Sequence, residues 1–163
     1  MSLFCTSNGT LISFAGGIYG GRYIASKDYG STWYYVGDDF GAGKLEAGFW
    51  ESDSGYIYSI LRQNNSDPAL IRINREVTEY TIIYTFGQFN FRAYYNPTKI
   101  IKLPDGKLLL FGGSRRKDEN DKMQLIEAIE TEENILNNII NNHVILKQPV
   151  ISYMTIFPSV SGP

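Results

Sequence analysis

Short apolar segments alternate with polar, glycine-bearing turns along this chain, and the alternation repeats. The string Gly9-Thr10-Leu11-Ile12-Ser13-Phe14-Ala15-Gly16-Gly17 returns 97 residues later (106 − 9) as Gly106-Lys107-Leu108-Leu109-Leu110-Phe111-Gly112-Gly113. A weaker copy, Gly55-Tyr56-Ile57-Tyr58-Ser59-Ile60-Leu61, stands 46 residues after the first and 51 before the third (55 − 9 and 106 − 55). Each copy follows a polar turn: Ser7-Asn8-Gly9, Ser52-Asp53-Ser54-Gly55 and Pro104-Asp105-Gly106. Polar turns between apolar runs rich in β-branched and aromatic residues signal β-hairpins. The spacing predicts four strands per repeat. They fall near 1–6, 10–15, 21–26 and 32–36; near 46–51, 55–61, 68–73 and 79–85; and near 98–103, 107–113, 123–130 and 139–147. Within 125–142, Leu125, Ile126, Ile129, Ile135, Ile139 and Ile140 also fit the spacing of an amphipathic helix, so helix and strand compete there.

One hairpin carries a denser pattern. Ser26-Lys27-Asp28-Tyr29-Gly30-Ser31-Thr32-Trp33 reads S-x-D-x-G-x-T-W. Asp28 can fold its carboxylate back onto turn N–H groups, and Gly30 supplies a positive φ. Ser26 and Thr32 offer hydroxyls to tie the two sides together, and Trp33 is expected to bury its ring beneath the turn. This stretch resembles the Asp-box, or BNR repeat, of sialidases and related β-propellers. The resemblance implies an all-β fold of four-stranded propeller blades, with Ser26, Asp28, Gly30, Thr32 and Trp33 as a structural staple on the face away from the ligand site. A decayed copy, Ala128-Ile129-Glu130-Thr131-Glu132-Glu133-Asn134-Ile135, lies in register 102 residues on (128 − 26) and tips the 125–142 segment toward strands. A fainter one is Asn74-Arg75-Glu76-Val77-Thr78.

The expected organisation is one module over 1–163, with blades at about 1–40, 41–90 and 91–150 and an extra strand at 151–158. That extra strand is suggested by Met154-Thr155-Ile156-Phe157-Pro158, which resembles Met1-Ser2-Leu3-Phe4-Cys5 at an offset of 153. Propellers close with roughly four to eight blades. Three blades therefore form an incomplete ring, completed by further chain or by a homo-oligomer.

Composition narrows the picture. The 163 residues hold 16 glycines, 12 tyrosines and 9 phenylalanines, which suits an all-β protein. The net charge of −2, with both signs interspersed, leaves no electrostatic footprint for nucleic acid. The single cysteine, Cys5, cannot form an internal disulfide and reads as buried packing. No apolar run reaches the roughly 18 residues of a membrane span, and the first residues lack the basic region of a signal peptide. An extracellular or virion-surface location follows from family analogy alone. The lone His143 has no ligand-spaced partner, so neither a metal nor a cofactor is expected.

In a propeller the connections after each second and fourth strand share one face. Candidate ligand residues on these connections are Asp38 and Asp39; Arg92, Tyr94 and Tyr95; and Arg115 and Arg116. Arginines with aromatics suit an anionic or sugar ligand through bidentate bonds and stacking. The plainer readings are a solvated turn at Asp38-Asp39, a mixed-charge loop at 114–122, and core packing for the tyrosines. The segment from Arg92-Ala93-Tyr94-Tyr95-Asn96-Pro97 through Pro104-Asp105-Gly106 is similar to a segment of sialidase-superfamily propellers. That family's activity implies an arginine cluster, a Tyr–Glu nucleophile pair and an Asp acid/base. Only Arg92 matches by context, so no catalytic residue is assigned. The expected function is a non-catalytic module recognising a glycan or a protein surface, adhesin-like or virion-associated. The alternative is part of a sialidase-like glycosidase whose other blades lie elsewhere.

Overall fold

A computed structural model describes residues 3–17, 19–63, 69–85, 99–117, 123–137 and 143–148. Twelve strands appear among them: β1 (Leu3–Cys5), β2 (Leu11–Gly16), β3 (Gly21–Ser26), β4 (Tyr34–Val36), β5 (Lys44–Glu51), β6 (Ile57–Gln63), β7 (Ala69–Ile73), β8 (Tyr80–Thr85), β9 (Lys99–Lys102), β10 (Leu108–Lys117), β11 (Met123–Glu130) and β12 (His143–Gln148). They form three four-stranded sheets, β1–β4, β5–β8 and β9–β12, each pairing its strands antiparallel in chain order. Among the described residues the protein is thus mostly β, built of antiparallel four-stranded sheets with almost no helix.

The three sheets begin with the same turn. The N–H of Thr6 donates to the carbonyl of Thr10, and Gly9 N–H donates back to Thr6. Ser52, Tyr56 and Gly55 repeat this arrangement, as do Leu103, Lys107 and Gly106. Gly9, Gly55 and Gly106 sit at φ of 84°, 82° and 83°. A Cβ is disfavoured in that left-handed region, which is why glycine closes each turn.

Between 125 and 142 the helical alternative is reduced to α1 (Glu132–Leu136), a single turn after β11. Thr131 caps it by accepting from Asn134 N–H at 3.1 Å. The remainder of the described segment is strand, because Met123 to Ala128 pair in sequence with β12.

Side-chain alternation in the middle sheet explains the stacking. Successive strand residues point to opposite faces. Ile57, Leu61, Ala69, Ile71 and Ile73 join Ile12, Phe14, Tyr23, Ala25 and Val36 of the first sheet in one core. Tyr58, Ile60 and Leu70 join Ile100, Leu108 and Ile135 of the third sheet in another. β6 is therefore buried on both faces, and this accounts for its nearly continuous apolar sequence. The first core is aromatic at its centre. Tyr23 meets Phe14, Phe40, Phe49 and Tyr80 with ring centroids 5.1–6.0 Å apart, and its hydroxyl donates to Ser59 Oγ at 2.8 Å across the sheet interface.

Polar latches reinforce the stacking at one end. Ser7 Oγ donates to Glu51 Oε1 at 2.8 Å, and Ser7 N–H donates to the same carboxylate. One repeat on, Lys102 pairs with Asp53. Residues 7 and 53 occupy the same turn position, and 51 and 102 the same strand position.

Cys5 departs from expectation: it is exposed, with its Sγ donating to Thr6 O at 3.6 Å. β1 is an edge strand. Phe4 points inward toward Phe49, so its neighbours Leu3 and Cys5 point out.

Candidate functional site

The Ser26–Trp33 turn is closed by Asp28. Its Oδ1 accepts from Thr32 N–H at 2.8 Å and from Ser26 Oγ at 2.7 Å, and its Oδ2 accepts from Thr32 Oγ1 at 2.6 Å. Ser26 Oγ accepts in turn from Gly30 N–H at 2.8 Å. Tyr29 and Gly30 take φ of 59° and 90° to pass the chain through the turn. Bonds from the Thr32 hydroxyl and N–H, followed by Ser26, hold the Asp28 carboxyl at about 2, below its ordinary 3.8. Trp33 is not buried as expected. It is 42% exposed, because the ring lies over the turn surface and its Nε1 donates to Gly30 O at 3.1 Å.

The faint copy in the middle sheet has the same geometry. Asn74 Oδ1 accepts from Thr78 N–H at 2.8 Å, and Asn74 Nδ2 donates to Thr78 Oγ1 at 2.8 Å. Asn74 and Thr78 stand 46 residues after Asp28 and Thr32. A neutral amide replaces the carboxylate and reverses one bond's polarity while keeping the turn. In the third sheet the capped turn α1 takes this place, and Ile135, in register with Trp33, is fully buried there.

At the opposite end of the first sheet, Asp39 is a structural anion. Its Oδ1 accepts from Gly41 N–H at 2.7 Å and Gly21 N–H at 3.2 Å. Its Oδ2 accepts from Arg22 Nε at 3.0 Å. The two backbone donors, then Arg22, hold its carboxyl below the usual carboxylate range. Phe40 N–H and Gly43 N–H donate to Gly21 O and Gly17 O, so the connections after β2 and β4 are tied together. Gly37 N–H donates to Thr78 O, and Tyr80 donates to Asp38 O at 3.4 Å, fastening the same connection to the middle sheet. Asp38 itself is exposed.

This bracing organises a small surface that the sequence reading missed. The Arg22 guanidinium lies 4.6 Å over the Tyr35 ring while bonded to Asp39. Tyr35 is 65% exposed, and Tyr19, at the tip of the connection after β2, is 93% exposed. Arg22 and Tyr35 point outward, alternating with the buried Tyr23 and Val36. Only the register and the return of residues 37–41 bring Asp39 to Arg22.

Arg92, Tyr94 and Tyr95 lie outside the described residues. Arg115 and Arg116 were expected in a loop. They fall within β10, where pairing with β11 shifts register between Ser114 and Lys117, because the strand runs four residues further than its apolar stretch. They belong to the third sheet and Asp38 and Asp39 to the first, with the middle sheet between them.

A second unforeseen constellation pairs a tyrosine with a glutamate. Tyr58 donates to Glu132 Oε1 at 3.3 Å, and Ser54 Oγ donates to the same oxygen at 2.9 Å. Burial, then the Glu132 charge, pushes the Tyr58 hydroxyl well above its ordinary value. The Tyr58 ring stacks on Trp50 with no exposed surface, so this pair joins the middle and third sheets. Among the described residues no group of three or more His, Cys, Asp or Glu could hold a metal, and no helix is long and apolar enough to cross a membrane.

No family model matches the chain, and no curated protein matches it. A solved structure from Dyadobacter fermentans, described as a protein of unknown function, is similar in fold. Its TM-score is 0.64 at 20% identity, covering 89% of this chain and 40% of that one. The chain thus spans 40% of the length of this solved structure, and the likeness concerns the fold.

Proposed function

We propose that the three sheets are blades of an Asp-box β-propeller of the sialidase superfamily, acting as a non-catalytic module that binds a glycan. Support for the blade reading comes from three four-stranded meanders stacked face to face and from the recurrence of the Asp28–Thr32 turn as Asn74–Thr78. The observation that carries the ligand reading is the Arg22–Tyr35 stack braced by Asp39, with Tyr19 exposed on the connection that the same bracing ties down. Exposed aromatic rings stack on the C–H faces of sugars, and a guanidinium fixed by Asp39 offers donors to hydroxyls or carboxylates at low ordering cost. The carboxylate beside them is consumed by Arg22, Gly21 and Gly41, which leaves Asp39 a positioning group. Such a module suits an adhesin-like or virion-surface role.

A glycan array on the purified chain, followed by calorimetry on the best ligand, tests this. Tyr19→Ala and Tyr35→Ala should each weaken binding roughly tenfold, about the value of one stacking contact. The chain should release no fluorophore from a fluorogenic sialoside. Retained affinity in both variants overturns the site, and turnover overturns the non-catalytic reading.

A further inference from the structure

Across its first three strands, the outward face of the first sheet matches a face that is covered elsewhere in the stack. Leu3, Ser13, Ile24 and Tyr35 form one cross-strand row. In the middle sheet, Phe49, Ser59 and Ile71 form the equivalent row; Ile82 of β8, at the position of Tyr35, ends it and stays 53% exposed. Phe49, Ser59 and Ile71 pack on the first sheet, with Ser59 accepting the Tyr23 hydroxyl. In the third sheet the position of Leu3 and Phe49 is Ile100, buried against the middle sheet. Likewise Leu11 corresponds to Ile57 and Leu108, both buried. In the first sheet, however, Leu3 is 63% exposed.

The matching half of such a contact is present at the other end of the stack. The face by which the first sheet covers the middle one includes Phe4 and Ile12, and the middle sheet covers the third with Trp50 and Tyr58. The same positions in the third sheet are Ile101 and Leu109, half-buried on its outward side. The latch positions agree. Cys5 occupies the strand position of Glu51 and Lys102, whose partners are turn residues Ser7 and Asp53 of the preceding sheet. The third sheet's residue at that turn position is Pro104.

We propose that Leu3, Leu11, Ser13 and Ile24 on the outward face of the first sheet dock onto the outward face of the third sheet of a second copy of this chain, on the pattern of the stacking seen twice within one copy, with Arg22 at the rim and Tyr35 of the outer strand left exposed, as Ile82 is in the middle sheet. Cys5 of one copy then lies beside Pro104 of the other. Head-to-tail contacts close when the rotation between copies closes, and two copies with a twofold axis make the contact twice. The contact rests on sheet stacking. Its test reads mass and proximity, so its failure leaves the glycan reading standing.

Native mass spectrometry at about 10 µM should show twice the chain mass, and Leu3→Lys should raise the dissociation constant roughly tenfold or more. Leu3 makes little internal contact, so that variant should keep the wild-type circular dichroism. With Pro104→Cys, a short bis-maleimide should link two chains through native Cys5. With Tyr19→Cys, at the opposite end of the first sheet, it should not. A monomer at that concentration overturns the proposal. An assembly indifferent to Leu3→Lys, or equal cross-linking of the two cysteine variants, also overturns it.

Discussion

The bond between Tyr23 and Ser59 is the sharpest place to test how the first two sheets are held. Both residues have no exposed surface, and the phenol donates to Ser59 Oγ at 2.8 Å in the middle of the aromatic core. Tyr23→Phe keeps the ring and its four aromatic neighbours but strips Ser59 of this donor. A buried polar group left without its partner costs about 1–3 kcal/mol. Ser59→Ala leaves the Tyr23 hydroxyl in the same position, with a similar cost. The double variant has apolar groups on both sides and should sit nearer to wild type than the sum of the two, with a coupling energy of about 1–2 kcal/mol. For a chain of this size, each kcal/mol shifts the melting temperature by about 2–4 °C. Burial raises the Tyr23 pKa far above neutrality, so the coupling should be the same at about pH 6 and about pH 9. Urea unfolding of the four proteins at both pH values provides the measurement. Additive single effects, or single variants within about 0.3 kcal/mol of wild type, would refute the view that this hydroxyl ties the sheets.

Asp28 should make stability depend on acid. Its folded carboxyl titrates at about 2 against an ordinary 3.8, so its contribution is complete above the ordinary value and is lost as pH falls from there through about 2. Asp28→Asn, which copies Asn74, should keep the turn and remove this dependence, whereas Asp28→Ala should lower the urea midpoint at neutral pH; parallel acid profiles for wild type and Asp28→Asn would contradict this. Gly37→Ala should destabilise more than Gly41→Ala. Both have positive φ, worth about 1–2 kcal/mol of strain, but a Cβ at Gly37 would stand 2.6 Å from Tyr80 Cδ1 while one at Gly41 meets open space. Overpacking adds about 1–3 kcal/mol at Gly37, and equal melting temperatures for the two variants would count against that packing.

Much of the strand layout was legible because it is written locally. Strand positions follow from alternation, and the turns at Gly9, Gly55 and Gly106 from residues chosen for one φ. The spacing of 46 and 51 was readable as a repeat, and it equals the offsets between the equivalent turns and latches. What depends on distant parts of the chain was not legible. Trp33 looked like a core residue by type, but its partner is a turn carbonyl at the surface. Cys5 looked buried because its strand is apolar, yet an edge strand with one covered face exposes every second residue. The Arg22–Asp39–Tyr35 arrangement joins residues separated by a whole strand and a turn, and the Tyr58–Glu132 bond spans 74 residues. No periodicity announces either.

Burial of the middle sheet on both faces fixes the order in which the protein can come apart. Ile57 and Leu61 answer to one neighbour, Tyr58 and Ile60 to the other. The outer sheets can each peel away while leaving one core intact, but β6 reaches water on both sides only after both have left. Its amides should therefore exchange with solvent last, through the rarest opening. Substitutions at neighbouring residues of β6 would then weaken opposite halves of the molecule, so this one strand sets the extent to which three similar sheets unfold together rather than in turn.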